Sequence, residues 1–122
     1  MADELKLRYE EICGNAEISK KLKKVKAALG GRSLVVFGAG WKGTELVSKN
    51  INEGWNLDIR AIGDENPAKI GTDINGVPVV NAKNMTDFGE VIMIASADFE
   101  PQMRDFLAKT FGNGVEIMVY DW

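Results

Sequence analysis

Ser33-Leu34-Val35-Val36-Phe37-Gly38-Ala39-Gly40-Trp41-Lys42-Gly43-Thr44-Glu45-Leu46-Val47-Ser48-Lys49 changes its hydropathy pattern twice. Leu34 to Phe37 form an unbroken apolar, β-prone run, the pattern of a parallel strand covered on both faces. The run breaks into Gly38-Ala39-Gly40-Trp41-Lys42-Gly43. Helical spacing follows, with Leu46 beside Val47 and Ile51 about a turn later. The spacing predicts strand, glycine turn and helix, in that order.

In this context G-x-G-x-x-G carries chemistry. Gly38 permits a tight turn, Gly40 lets the backbone approach a pyrophosphate, and Gly43 lets the helix pack closely on the strand. Free N–H groups and the positive end of the helix dipole favour an anion above Gly40. The same pattern asks for an acidic residue about twenty positions on, to take ribose hydroxyls. Asp64 stands there, closing the apolar run Leu57 to Ile62. The expectation is a nucleotide-type site, and a glycine turn kept only for packing stays open beside it. A phosphate-binding loop of the Walker A kind needs Lys directly after the last glycine, whereas Lys42 precedes Gly43. An S-adenosylmethionine site remains a minor option.

Composition narrows the classes further. A chain of 122 residues, 45% apolar and 27% charged, is an ordinary globular sequence. The net charge of -3 argues against nucleic acid as a partner, because phosphate backbones are bound by clustered cations. No stretch reaches the roughly 18 apolar residues of a membrane span, and the acidic start Met1-Ala2-Asp3-Glu4 does not read as a signal peptide. A single cysteine, Cys13, fits a reducing cytoplasm. There is no histidine, which removes Ser-His-Asp and Cys-His nucleophile systems, and neither catalytic nor metal-ligating residues are assigned.

Around this centre, residues 1–31 read as a helical extension and 32–122 as the glycine-turn domain. In the extension Leu5, Ile12, Ile18, Leu22, Val25 and Leu29 recur at helical spacing, with a break at Gly14-Asn15. Lys20, Lys21, Lys23, Lys24 and Lys26 read as a solvated helix face, with a patch for an anionic surface as the alternative. These helices offer an interface for a catalytic partner domain or a second copy of the chain. Leu57 to Ile62 give a second strand ending at Gly63-Asp64, and Asp64 to Gly71 a loop in place of a crossover helix. Ile74 to Val80 read as a turn into a short strand, placed at a sheet edge because Pro78 has no N–H. Asn84 to Phe88 suit one helical turn, Val91 to Ala95 a central strand, Phe99 to Phe111 an amphipathic helix, and Val115, Ile117 and Val119 a last strand. The expected fold is α/β, a Rossmann-like parallel five-stranded sheet of order 3-2-1-4-5 with extra N-terminal helices.

Four segments resemble a family: Val36-Phe37-Gly38-Ala39-Gly40, Ile62-Gly63-Asp64-Glu65-Asn66-Pro67-Ala68-Lys69-Ile70-Gly71, Ile74-Asn75-Gly76-Val77-Pro78-Val79, and Ile92-Met93-Ile94-Ala95-Ser96. They look like the Rossmann-like domains of bacterial nucleotide-sugar and polysaccharide biosynthesis proteins. Among these are the N-terminal domain of sugar O-acyltransferases and the CoA/nucleotide-binding-like domain preceding sugar-phosphate transferases and sugar dehydratases. The resemblance covers roughly residues 33–120, and D-x-N-P-x-K-x-G followed by I-x-G-V-P-V is its most distinctive part. It implies a nucleotide or nucleotide-sugar in the first crevice, held by Gly38, Gly40, Gly43, Asp64 and Ser96, with Asn66 and Pro67 shaping the rim. The hexapeptide repeats and histidine of the acyltransferases are absent, and neither Tyr9 nor Tyr120 begins a Tyr-x-x-x-Lys pair.

The candidate cofactor-binding residues are thus Gly38, Ala39, Gly40, Trp41, Lys42, Gly43, Asp64, Glu65, Asn66 and Ser96. Asp64 holds a ribose or caps a turn, and in the first case it favours an NAD-like or uridine-type ribose over NADP. Trp41 covers a base or packs locally, Lys42 pairs with phosphate or stays solvated, and Ser96 reaches the ligand or caps a helix. The function expected is a nucleotide-binding module for NAD or a UDP-sugar, linked to sugar or polysaccharide biosynthesis and lacking its own catalytic groups. A small NAD-dependent oxidoreductase or sugar-modifying subunit completed by an oligomer, and a ligand-free structural or interaction domain, are the alternatives.

Overall fold

The computed structural model describes residues 17–96 and 98–121, which fall into two compact units, 17–30 and 31–121. Cys13, Tyr9 and the Gly14-Asn15 break lie outside the described residues. The first unit is helix α1, residues 17–29, whose five lysines are exposed while Ile18, Leu22, Val25 and Leu29 form the less exposed stripe.

In the second unit β1 (Leu34–Phe37), α2 (Trp41–Asn52), β2 (Ile59–Asp64), β3 (Asp73–Ile74), β4 (Val77–Asn81), a 3-10 segment (Ala82–Asp87), β5 (Val91–Ile94), α3 (Glu100–Phe111) and β6 (Glu116–Val119) follow in order. They build one sheet of order β3-β4-β2-β1-β5-β6. Every pairing is parallel except β3 with β4. Without β3 this is the expected five-stranded order. The sixth strand exists because Asn75 and Gly76, at φ +51° and +86°, turn the chain tightly enough for Asp73–Ile74 to pair back on β4.

Pro78 is therefore not on the edge strand, contrary to expectation. The ladder of β4 with β2 begins at Val79, so the missing N–H of Pro78 costs no bond there, and Val79 donates to Thr72 O on the other side at 2.9 Å. β2 starts two residues later than expected, because the Asn50 side chain brackets Leu57, accepting from its N–H at 2.9 Å and donating to its C=O at 3.0 Å. Ile51 is 53% exposed rather than on the covered face.

All four residues of β1 and of β5 are buried. Val35, Phe37, Ile92 and Ile94 share one cluster with Met85 and Leu107, joined by Met103 and Phe106 of α3. The Phe37 and Phe106 rings lie 5.4 Å apart. Gly43, Leu46 and Val47 are the buried residues of α2. The covered central strands fix where the loops at their carboxyl ends emerge.

Candidate functional site

The loop after β1 is shaped by its glycines. Gly38 has φ +114°, which only glycine adopts without strain, and its N–H donates to Gly63 O at 2.8 Å. A Cβ on Gly43 would lie 1.9 Å from Gly38 O, so glycine there is the condition for α2 to sit on the loop. Gly40 differs from both. Its backbone is extended, at φ -79°, and a Cβ on it would meet nothing within 4 Å. Gly40 is the N-cap of α2, with no side-chain capping bond and no acidic residue in the first turn. The leading amides of the helix thus keep their positive potential for something outside it.

The second loop grips the first. Asp64 Oδ2 accepts the N–H of Ala39 at 2.8 Å, and Lys69 Nζ donates to the C=O of the same residue at 3.1 Å. The other Asp64 oxygen accepts from Asn66 N–H at 2.8 Å, and Asn66 Oδ1 accepts from Ala68 N–H at 3.0 Å. Gly71, at φ +92°, donates to Val79 O at 2.9 Å. Each fixed letter of D-x-N-P-x-K-x-G other than Pro67 thereby has a structural task. Asp64 is engaged by two backbone amides, yet each carboxylate oxygen keeps a further lone pair.

Between these loops and the one after β5 opens a cleft of about 400 Å³. Of the expected residues, Gly38, Gly40, Trp41, Lys42, Asp64, Glu65 and Ser96 line it. Ala39 and Gly43 are buried in the loop and helix, and Asn66 is exposed in its turn, so these three shape the wall instead. Lys69, Phe37, Ala95, Asp98, Phe99 and Met103 line it as well. Lys69 was visible as a letter of the motif, whereas the others carried no signal beyond strand end and helix start.

Lys42 Nζ lies 5.9 Å from the Trp41 ring centre and 5.4 Å from that of Tyr120, a cation held over two aromatic faces. Burial, and then the Glu45 carboxylate, push the Tyr120 phenol up to about 12. Ser96 Oγ accepts from Phe99 N–H at 3.2 Å, leading the chain into α3. The site therefore offers backbone N–H groups and two ammonium groups to an anion, with Asp64 and Glu65 to one side.

A family model described as a CoA binding domain matches residues 31–100. No curated protein matches the sequence. Among solved structures, RSP, a Rex-family repressor, is 17% identical with a TM-score of 0.56, over 84% of this chain and 60% of that one. UDP-D-quinovosamine 4-dehydrogenase from Vibrio fischeri is 19% identical with a TM-score of 0.55, over 72% of this chain and 76% of that one. RSP in complex with beta-NAD+ and operator DNA gives 16% identity and a TM-score of 0.56, over 85% of this chain and 58% of that one. The chain thus spans about 60% of the repressor's length, and the likeness is one of fold. It corrects the expectation that an acidic net charge sets nucleic acid aside, since a protein containing this fold is held on operator DNA. No helix among the described residues is long and apolar enough to cross a membrane.

Proposed function

The chain belongs to the CoA-binding domain family, and from that premise we propose that it binds a nucleotide through its pyrophosphate at the N-terminus of α2, with NAD or a UDP-sugar as the occupant. Gly40 carries this reading. The fold requires glycine at Gly38, for its φ, and at Gly43, for the 1.9 Å approach, but nothing within 4 Å of Gly40 requires it there. A ligand resting on the Gly40 backbone supplies the missing reason. A fold relative in complex with beta-NADH supports the dinucleotide, and one that is a UDP-D-quinovosamine 4-dehydrogenase supports the link to sugar biosynthesis. The protein acts as a binding module without catalytic groups of its own: the sequence has no histidine, and neither tyrosine begins a Tyr-x-x-x-Lys pair. Its lone cysteine fits a cytoplasmic setting.

The test is a thermal-shift panel of NAD, NADP, UDP, UDP-N-acetylglucosamine, coenzyme A and S-adenosylmethionine, run on the parent chain and on Gly40→Val. A ligand that binds only the folded state raises the melting temperature by mass action. The parent should shift with NAD or the UDP-sugar, and Gly40→Val should fold yet show no shift, its side chain occupying the pyrophosphate position. Unchanged affinity in the variant would overturn the reading.

A further inference from the structure

We infer that the part of the cleft on the β5 side is a stacking site for a flat heteroaromatic ring carried on the pyrophosphate, with Trp41 and Phe99 as its aromatic walls. The inference rests on the nucleotide reading above, and it selects a dinucleotide such as NAD over a nucleotide-sugar. Trp41 and Phe99 are 73% and 62% exposed, the two most exposed large apolar side chains among the described residues. Singly, neither asks for explanation. Both, however, line the same cleft, Trp41 at the start of α2 and Phe99 just before α3. These elements follow β1 and β5, which are neighbours in the sheet.

The cleft is chemically two-sided. Towards β2 it is lined by Asp64, Glu65 and Lys69, groups that suit ribose hydroxyls and phosphate; towards β5 it is lined by Phe37, Ala95 and Met103. Polar side chains on the second side are Ser96, whose Oγ already accepts a backbone N–H, Asp98, and Lys42, whose ammonium lies over the Trp41 and Tyr120 rings. A hexose placed there gives up water at several hydroxyls and finds few replacements, a cost that stacking does not recover. A planar ring with one carboxamide needs few partners and gains from aromatic faces.

Affinities of the full chain for NAD, ADP-ribose, UDP-N-acetylglucosamine and coenzyme A, measured by calorimetry, test this. ADP-ribose keeps the adenine, the pyrophosphate and both riboses and lacks only the second ring, the nicotinamide. The expected result is NAD binding about tenfold tighter than ADP-ribose, and Trp41→Ala or Phe99→Ala erasing that difference while leaving ADP-ribose affinity unchanged. Trp41→Phe should retain most of it. Both alanine changes are at exposed positions, and unaltered melting curves confirm that they fold. NAD and ADP-ribose binding equally to the parent chain, variants that weaken both alike, or preference for the UDP-sugar or coenzyme A would overturn the stacking site while leaving a nucleotide site in place. No binding by any of the four would overturn the nucleotide reading and the inference together.

Discussion

Three glycines within six positions do unlike work, and substitutions separate them. Alanine at Gly43 would put its methyl 1.9 Å from a backbone carbonyl, Gly38 O, which moves only if the loop or the helix moves. Overpacking of this kind costs about 3 kcal/mol, a fall in melting temperature on the order of 10 °C. Alanine at Gly63 meets Met85 Sδ at 2.1 Å, equally close on paper. Its obstacle is the Sδ and, at 2.4 Å, the Cγ of Met85, a fully buried side chain whose rotatable bonds let it repack at a cost, a freedom that a backbone carbonyl lacks. Thermal melts should therefore rank Gly43→Ala as clearly more damaging than Gly63→Ala, and the reverse order would show that the β1–α2 loop is softer than its contacts imply. Of the candidate residues, the glycines were legible because their spacing is itself the signal. Asp64 was legible as an acid in the right place, but not its bond to Ala39, which joins residues 25 apart in sequence. The aromatic wall at Phe99 was hidden, because a residue just ahead of a helix reads as the beginning of its apolar face.

At the scale of elements, α2 begins without a capping side chain or a first-turn acid. Supplying one by Gly40→Asp should satisfy an orphan amide and complement the dipole, stabilising the protein by about 0.5 kcal/mol. The same carboxylate would occupy and repel the anion position. Melting temperature should rise while the ligand-induced shift disappears; a variant that is both more stable and still binding would place the ligand away from this helix end. β1 and β5 were readable because burial on both faces removes alternation and leaves solid apolar runs. β3 was not, since two residues, Asp73 and Ile74, carry no period. Its only trace was the turn pair Asn75-Gly76, and whether such a turn yields a ladder depends on where the partner strand stands. The late start of β2 was equally unreadable, because it depends on Asn50, in another element, holding Leu57 back from the sheet.

The stability of the whole molecule registers Tyr120, buried just beyond β6, where its N–H donates to Ile94 O at 2.8 Å. Its phenol titrates near 10 when unfolded and is pushed up to about 12 in the native state, by burial first and Glu45 second. Between these values the unfolded chain has released a proton that the folded one retains, so stability falls as pH rises through the window and is fully present below it. Urea midpoints followed from pH 9 to 12 should decline more steeply for the parent chain than for Tyr120→Phe, and parallel curves would show that the phenol titrates normally. Elsewhere in the fold, the two peptide groups that flank the Ala39 Cα are both held by the loop after β2, the Ala39 N–H by Asp64 and the Ala39 C=O by Lys69. A loop pinned this way has lost its conformational freedom before any ligand arrives. Capture is then a single docking step on a prebuilt surface, in which encounter rates differ little between related ligands and residence time sets which one prevails.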